Sequence, residues 1–225
     1  MVRIGANHVD PVAFRRALIA WGTKHFRDLP WRSARSAYRV LMAEVMLHRT
    51  QARQVAPVYK AFVRRYPNPS FLAAASRKDL RHTLYSLGLR WRIDLVRAMV
   101  GKLANAFGGN VPRQKAELLS LPGVSDYIAS AVRCFAFNFS EPLVDTNTVR
   151  VVGRIFGRET KDSSRRNRQF RELIAMLLDH KQPRSYNYAL LDLASEVCHK
   201  AKPPDCQHCP VRRWCLYGRT GGRQV

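Results

Sequence analysis

From residue 10 onward the apolar positions recur every three or four residues, the spacing that lines one side of an α-helix. Asp10-Pro11 is an N-cap and first-turn pair. It opens a helix whose apolar side is Phe14, Leu18, Ile19 and Trp21, and Leu29-Pro30-Trp31-Arg32 breaks that helix. A second begins near Ser36 and carries Val40, Leu41, Val45, Met46 and Leu47. A third, at about 53–65, carries Val55, Val58, Tyr59, Phe62 and Val63 and stops at Pro67 and Pro69. Short helices follow at about 69–75 and 77–87. After LGLRWR (87–92) a longer one runs to about 107, where Gly108, Gly109 and Pro112 end it. Beyond residue 145 the pattern predicts helices at about 146–156, 167–179 and 185–197, with the polar run 158–168 as a solvated loop. Strand-like alternation is absent, so the expected fold class is all-α.

One stretch departs from plain amphipathic helix. In ELLSLPGVSDYIASAV (117–132), Leu118, Leu119 and Leu121 close an apolar run and Pro122-Gly123 is a turn dipeptide. Tyr127, Ile128, Ala131 and Val132 then resume helical spacing. Gly123 permits a tight reversal that leaves unpaired N–H groups at a helix start, a natural seat for a phosphate. Taken alone, L-P-G-V is also an ordinary helix–turn–helix corner. Downstream, the polar triplet Asp145-Thr146-Asn147 interrupts PLVDTNTVRVVG.

Composition narrows the partner. The 225 residues are 46% hydrophobic, enough for one large domain or two small ones with cores. Lys and Arg number 39 against 16 Asp and Glu, a formal charge of +23 that calls for a polyanion. The basic residues are spread along the chain, unlike a juxtamembrane block, and no apolar run approaches the ~20 residues of a spanning helix. MVRIGANHVDPV lacks an apolar signal core, so a cytoplasmic protein is expected.

Two further patterns carry chemistry. Glu44 lies among Leu41, Val45, Met46 and Leu47. Burial there would favour a protonated carboxyl suited to general-acid work, whereas a glutamate on the helix surface would have no such role. Cys198, Cys206, Cys209 and Cys215 give C-x7-C-x2-C-x5-C, a thiolate cluster that suits zinc or an iron–sulfur cluster in a reducing compartment. Cys134, in RCFAF, reads as core.

Hairpin, aspartate, LPWR followed by AEVMLHRTQ, and the terminal cysteines together resemble the helix-hairpin-helix DNA glycosylases. This is the superfamily of endonuclease III, MutY and the Mig-type mismatch thymine glycosylases, and the resemblance covers about residues 10–217. It implies a six-helix barrel domain at roughly 33–143. A second, discontinuous domain would comprise 1–32 and 144–225 and end in a [4Fe–4S] cluster loop. The ligands would be the four cysteines, although the family's first interval is C-x6-C. Asp145 becomes the catalytic carboxylate that stabilises the cationic sugar, and Glu44 acts on the departing base or positions water. Tyr127 stands where lyase members carry a Schiff-base lysine, which implies a monofunctional enzyme. The family's LPGVG is LPGVS here, so Ser125 keeps the backbone donor without glycine's freedom; Leu121, Gly123 and Ser125 form the phosphate-binding hairpin. His48 takes the wedge position beside the orphaned base, and Arg32, Arg49, Arg90, Trp91 and Arg92 would line the DNA groove.

Tyr188 occupies the place of a base-contacting glutamate in adenine-removing members. LGLRWR and PLVDTNTVRV are nearer the Mig type than MutY. The expected substrate is therefore duplex DNA with thymine or uracil opposite guanine, acted on by a monomer, with adenine opposite 8-oxoguanine as the alternative. Two non-catalytic readings stay open: a DNA-binding protein with a structural metal site, and a membrane-surface or RNA-binding helical domain.

Overall fold

Several helix starts coincide with capping side chains. The computed structural model describes residues 2–4, 7–34, 36–88 and 92–222. Ahead of the first helix, β1 (Val2–Ile4) and β2 (Asn7–Val9) pair antiparallel with Val2 opposite Val9. Three-residue strands are too short to show a period of two, and beyond them the described residues form the all-α fold expected. Asp10 caps α1 (Pro11–Lys24) by accepting from the Val12 and Ala13 N–H groups. Ser36 caps α2 (Ala37–Leu47), and α3 (Ala52–Arg65) follows. The next elements are α4 (Pro69–Ala73), α5 (Arg77–Leu84), a 3-10 turn at Tyr85–Leu87 and α6 (Arg92–Phe107). The hairpin is α7 (Lys115–Leu119) and α8 (Asp126–Phe137). After it come α9 (Thr146–Phe156), α10 (Arg168–Leu177), α11 (Pro183–Glu196) and a short α12 (Leu216–Arg219) that the periodicity did not show.

The chain divides into two compact units, 28–138 and 1–27 with 139–225. In the continuous unit, α2 is buried on nearly every side from Tyr38 to Met46 and packs against α3 and α8. A helix apolar all round belongs at the centre of its bundle. The Tyr38 hydroxyl donates to Tyr66 O at 3.0 Å and the Tyr59 hydroxyl to Arg39 O at 3.2 Å. Burial pushes the Tyr59 phenol up to about 12 and raises that of Tyr38 as well.

The discontinuous unit is built around α9 and α11. Val149, Val152 and Ile155 meet Phe14, Leu18, Phe170, Leu190, Leu193 and Trp214 in one core, which also buries Val9. Gly22 lets α1 cross α11 closely: a Cβ there would lie 2.4 Å from Ala189 Cβ. Arg15 reaches from α1 to the C-terminal carbonyls of α10, donating to Met176 O at 2.7 Å and Leu177 O at 3.1 Å.

Candidate active site

The hairpin turn depends on one backbone position. Gly123 has φ +80, open only to glycine without strain. Leu121 is buried, its N–H donates to Leu118 O, and it accepts from the Val124 N–H, so its own donor is spent inside the turn. Gly123 and Ser125 are exposed. Ser125 has φ −87, ordinary for any residue, so glycine's freedom is not needed there. Its hydroxyl accepts from the Ile128 N–H and caps α8. Lys115 ties the two helices by donating to Ser130 Oγ at 2.9 Å and pairing with Asp126 at 3.1 Å. Tyr127 is half-buried at the second position of α8.

On α2, Glu44 is only 5% exposed, a carboxyl set among Leu41, Val45 and Met46. The helix ends at His48, which is exposed and lines an apolar cavity of about 60 Å3 with Val45, Leu95, Met99 and Gly123. Arg49 follows with φ +62, a left-handed conformation that an arginine adopts only at some energetic cost. It is exposed, and Arg32 is half-buried. Arg90 and Trp91 lie outside the described residues, as does the side chain of Arg92.

Asp145 is the N-cap of α9 and is half-buried. Its Oδ1 accepts from the Asn147 and Thr148 N–H groups at 2.9 and 2.7 Å, and its Oδ2 from Asn147 Nδ2 at 2.8 Å. Thr148 Oγ1 accepts from the Asp145 N–H and completes a capping box. The carboxylate is therefore held in one orientation, at the positive end of the α9 dipole. The bonds continue along the helix. Arg150 donates to Asn147 Oδ1 at 3.1 Å, Cys198 O at 3.0 Å and Ala194 O at 2.8 Å. Arg154 donates to Cys198 Sγ at 3.1 Å and His199 O at 2.8 Å, and its guanidinium lies over the Tyr217 ring. A cavity of about 690 Å3 runs beside this helix, lined by Thr146, Arg154, Arg158, Lys161, Lys200 and Tyr217 among others.

The four C-terminal cysteines are free thiols gathered at the end of that bonded chain. Burial pushes the Cys209 thiol up to about 12, opposed by the Val211 N–H; the charges of Cys215, Cys198 and Cys206 push it further. Burial likewise takes Cys215 up to about 11, the Gly218 N–H opposing and Cys198 and Cys206 adding. Four thiols close enough to repel one another as thiolates form a donor set that a cationic centre would relieve. Among the described residues, no group of three or more His, Cys, Asp or Glu side chains is arranged to hold a single ion.

Residues 42–176 match the HhH-GPD superfamily of base excision DNA repair proteins. The chain belongs to that superfamily. It is 39% identical over 210 residues to a thymine/uracil-DNA glycosylase of Pyrobaculum aerophilum, covering 90% of each protein. A thymine-DNA glycosylase of Aeropyrum pernix is 37% identical, with 91% of this chain and 94% of that one covered. An adenine DNA glycosylase of Mycobacterium tuberculosis is 35% identical over 91% of this chain and 67% of its own length. The structure of a thermostable thymine-DNA glycosylase superposes with TM-score 0.83 at 29% identity, covering 93% of this chain and 97% of that one. A non-covalent endonuclease III–DNA complex shares the fold, with TM-score 0.78 at 23% identity over 95% of this chain and 99% of that chain.

In this HhH-GPD protein the sequence-predicted residues fall into local groups. Leu121, Gly123, Ser125 and Tyr127 share the hairpin, and Glu44, His48 and Arg49 the end of α2. Asp145 and Cys198 are joined through α9. Tyr188 is 6% exposed on α11, edge-on to the half-exposed Phe26 with ring centroids 6.0 Å apart. Asn147, Arg150 and Arg154 escaped the sequence reading. Their signal is three polar residues on one side of an otherwise apolar helix.

Proposed function

We propose that this protein is a DNA glycosylase that extrudes thymine or uracil mispaired with guanine and hydrolyses its N-glycosidic bond, leaving an intact abasic site. The observation that carries the reading is Asp145, a carboxylate fixed at a helix N-terminus by three hydrogen bonds in a base excision repair family. Breaking the N-glycosidic bond develops positive charge on the sugar, which a preoriented carboxylate stabilises. Glu44, buried among apolar side chains, suits protonation of the leaving base or positioning of water. Tyr127 has no amine with which to form a Schiff base, which supports hydrolysis without strand cleavage. The preference for thymine or uracil is supported by the two thymine-excising relatives that this chain matches over nearly their full length.

Backbone donors at Gly123 and Ser125, with His48, Arg49 and Arg32, are the proposed DNA contacts, made by a monomer on duplex DNA. Cys198, Cys206, Cys209 and Cys215 are proposed to hold a [4Fe–4S] cluster. Support comes from the thiol-only donor set and its C-x7-C-x2-C-x5-C arrangement in the sequence. When bound, the cluster ties the C-terminal loop together, while Arg150 and Arg154 grip the same loop from α9. Iron and sulfide analysis with the visible spectrum tests it.

The substrate is tested by incubating the protein with labelled duplexes carrying G·T, G·U and 8-oxoguanine·A, each with and without alkali. Alkali-dependent breaks at T or U support the proposal. Breaks at A establish the adenine alternative, which the adenine glycosylase relatives and Glu44 favour. Breaks without alkali refute the monofunctional reading, and intact duplexes throughout leave a non-catalytic DNA binder.

A further inference from the structure

The segment that delivers Asp145 is a six-residue strap, Phe139–Val144, with no helix or strand of its own. It leaves α8 at Asn138, where φ is +59, and a Glu141 N–H to Phe139 O bond folds it locally. Leu143 is fully buried. Asp145 itself is extended (φ −125, ψ −177), the backbone link through which the strap meets the capping box of α9. The body of α9 is fixed separately, by Arg150 and Arg154 on the cysteine loop.

Helix α11 reaches the strap with one side chain. Asn187 is 1% exposed, and its Nδ2 donates to Glu141 O at 3.1 Å. Its helix neighbours Tyr186, Ala189 and Leu190 are buried too. An amide in such surroundings is unfavourable unless its hydrogen bonds are made, and a leucine, somewhat larger, has the same branched skeleton without that penalty. A second tie lies at the surface, where Ser140 Oγ and His180 Nδ1 are 2.6 Å apart.

We propose that Asn187 is a positioning residue for the reaction: by holding Glu141 O it sets the register of the strap and with it the position of the Asp145 carboxylate. This rests on Asp145 being the catalytic carboxylate. A shift of about 1 Å in a catalytic group is enough for a rate loss of order 100-fold. Glu141 is only half-buried, so water can satisfy its carbonyl when the amide is gone. The rate should therefore suffer more than the fold.

The test compares Asn187→Leu, which removes the donor, with Asn187→Gln, which keeps one. Three quantities are read: the single-turnover rate of base release from G·T and G·U duplexes, the Kd for a duplex bearing a non-cleavable abasic analogue, and Tm. Asn187→Leu should slow base release about 10- to 100-fold with Kd within about threefold of wild type and Tm lowered by only a few degrees, and Asn187→Gln should recover most of the rate. A wild-type rate in Asn187→Leu overturns the proposal. So does a rate loss matched by the fraction of protein unfolded, since that is mere destabilisation. Should Asn187→Leu fail to fold, Ser140→Ala carries the test from an exposed position: a severalfold slower rate supports the strap's role, and an unchanged rate overturns it. Asp145→Asn run in parallel separates the two readings. If it retains turnover, the catalytic assignment falls and the proposal with it. If it is inactive while Asn187→Leu is as fast as wild type, only the proposal falls.

Discussion

Replacing Asp145 by asparagine and by alanine should divide its two duties, capping a helix and stabilising a cation. An asparagine Oδ1 can still accept from the Asn147 and Thr148 N–H groups, and asparagine caps helices as well as aspartate does. What it loses is the second acceptor. Its NH2 would face Asn147 Nδ2, a donor already tied through Oδ1 of the same amide to Arg150. One lost hydrogen bond and the lost helix-dipole term amount to about 1–2 kcal/mol. Alanine also removes the cap, about 1 kcal/mol more. For a chain of this size each kcal/mol lowers Tm by roughly 2–4 °C, so Asp145→Ala should melt a few degrees below Asp145→Asn. Catalysis should order the variants differently. Removing a single transition-state hydrogen-bond donor elsewhere lowers rates by about 100- to 1000-fold, and loss of a full charge should do at least as much. Both variants should therefore be equally dead in single-turnover base release, while still binding an abasic-analogue duplex. Asp145→Asn turnover within about tenfold of wild type, or an Asp145→Ala variant as stable as wild type, would refute the reasoning.

Arg150→Leu should cost about 2–3 kcal/mol, because two carbonyls in the cysteine loop and α11 lose a charged donor; urea unfolding measures it. Cys209→Ser should remove the visible absorbance of the proposed cluster and lower Tm, and an unaltered spectrum with full iron content would contradict its role as a ligand. Gly22→Leu should destabilise the protein by at least about 1–3 kcal/mol, since even a Cβ meets Ala189 at 2.4 Å. The buried phenols give a pH dependence. Tyr59 titrates near 12 when folded and near 10 when unfolded, so the unfolded state sheds its proton first; stability is full below about pH 10 and falls as pH rises toward 12. Urea midpoints between pH 7 and 11 should show a shallower alkaline decline in Tyr59→Phe than in wild type.

Helices were legible because their caps and periodicity are local. Asp10, Ser36 and Asp145 each accept backbone N–H groups where the sequence suggested a start, while ends such as Ala73 and Leu84 moved inward and the start of α11 moved out to Pro183. Arg150 and Arg154 were not legible, since their partners lie 44 to 48 residues away and a polar residue on a helix says nothing of what it reaches. The left-handed Arg49 is likewise a tertiary outcome, for nothing in HRTQ requires it. Ser125 shows the reverse. A departure from the family's glycine looked like a loss of freedom, yet the position has an ordinary φ and the new hydroxyl caps α8.

The discontinuous unit has a consequence for biosynthesis. Arg15 bonds to a carbonyl 162 residues later, which a ribosome adding about 5–20 residues per second reaches some 10–30 s after α1 emerges. Throughout that interval Phe14 and Leu18 have no core to enter, whereas residues 28–138 are contiguous and can collapse as soon as they clear the exit tunnel. The nascent stretch that carries α1 is thus a sticky segment until α9, α10 and α11 have been made, and holdase chaperones should engage it in that interval.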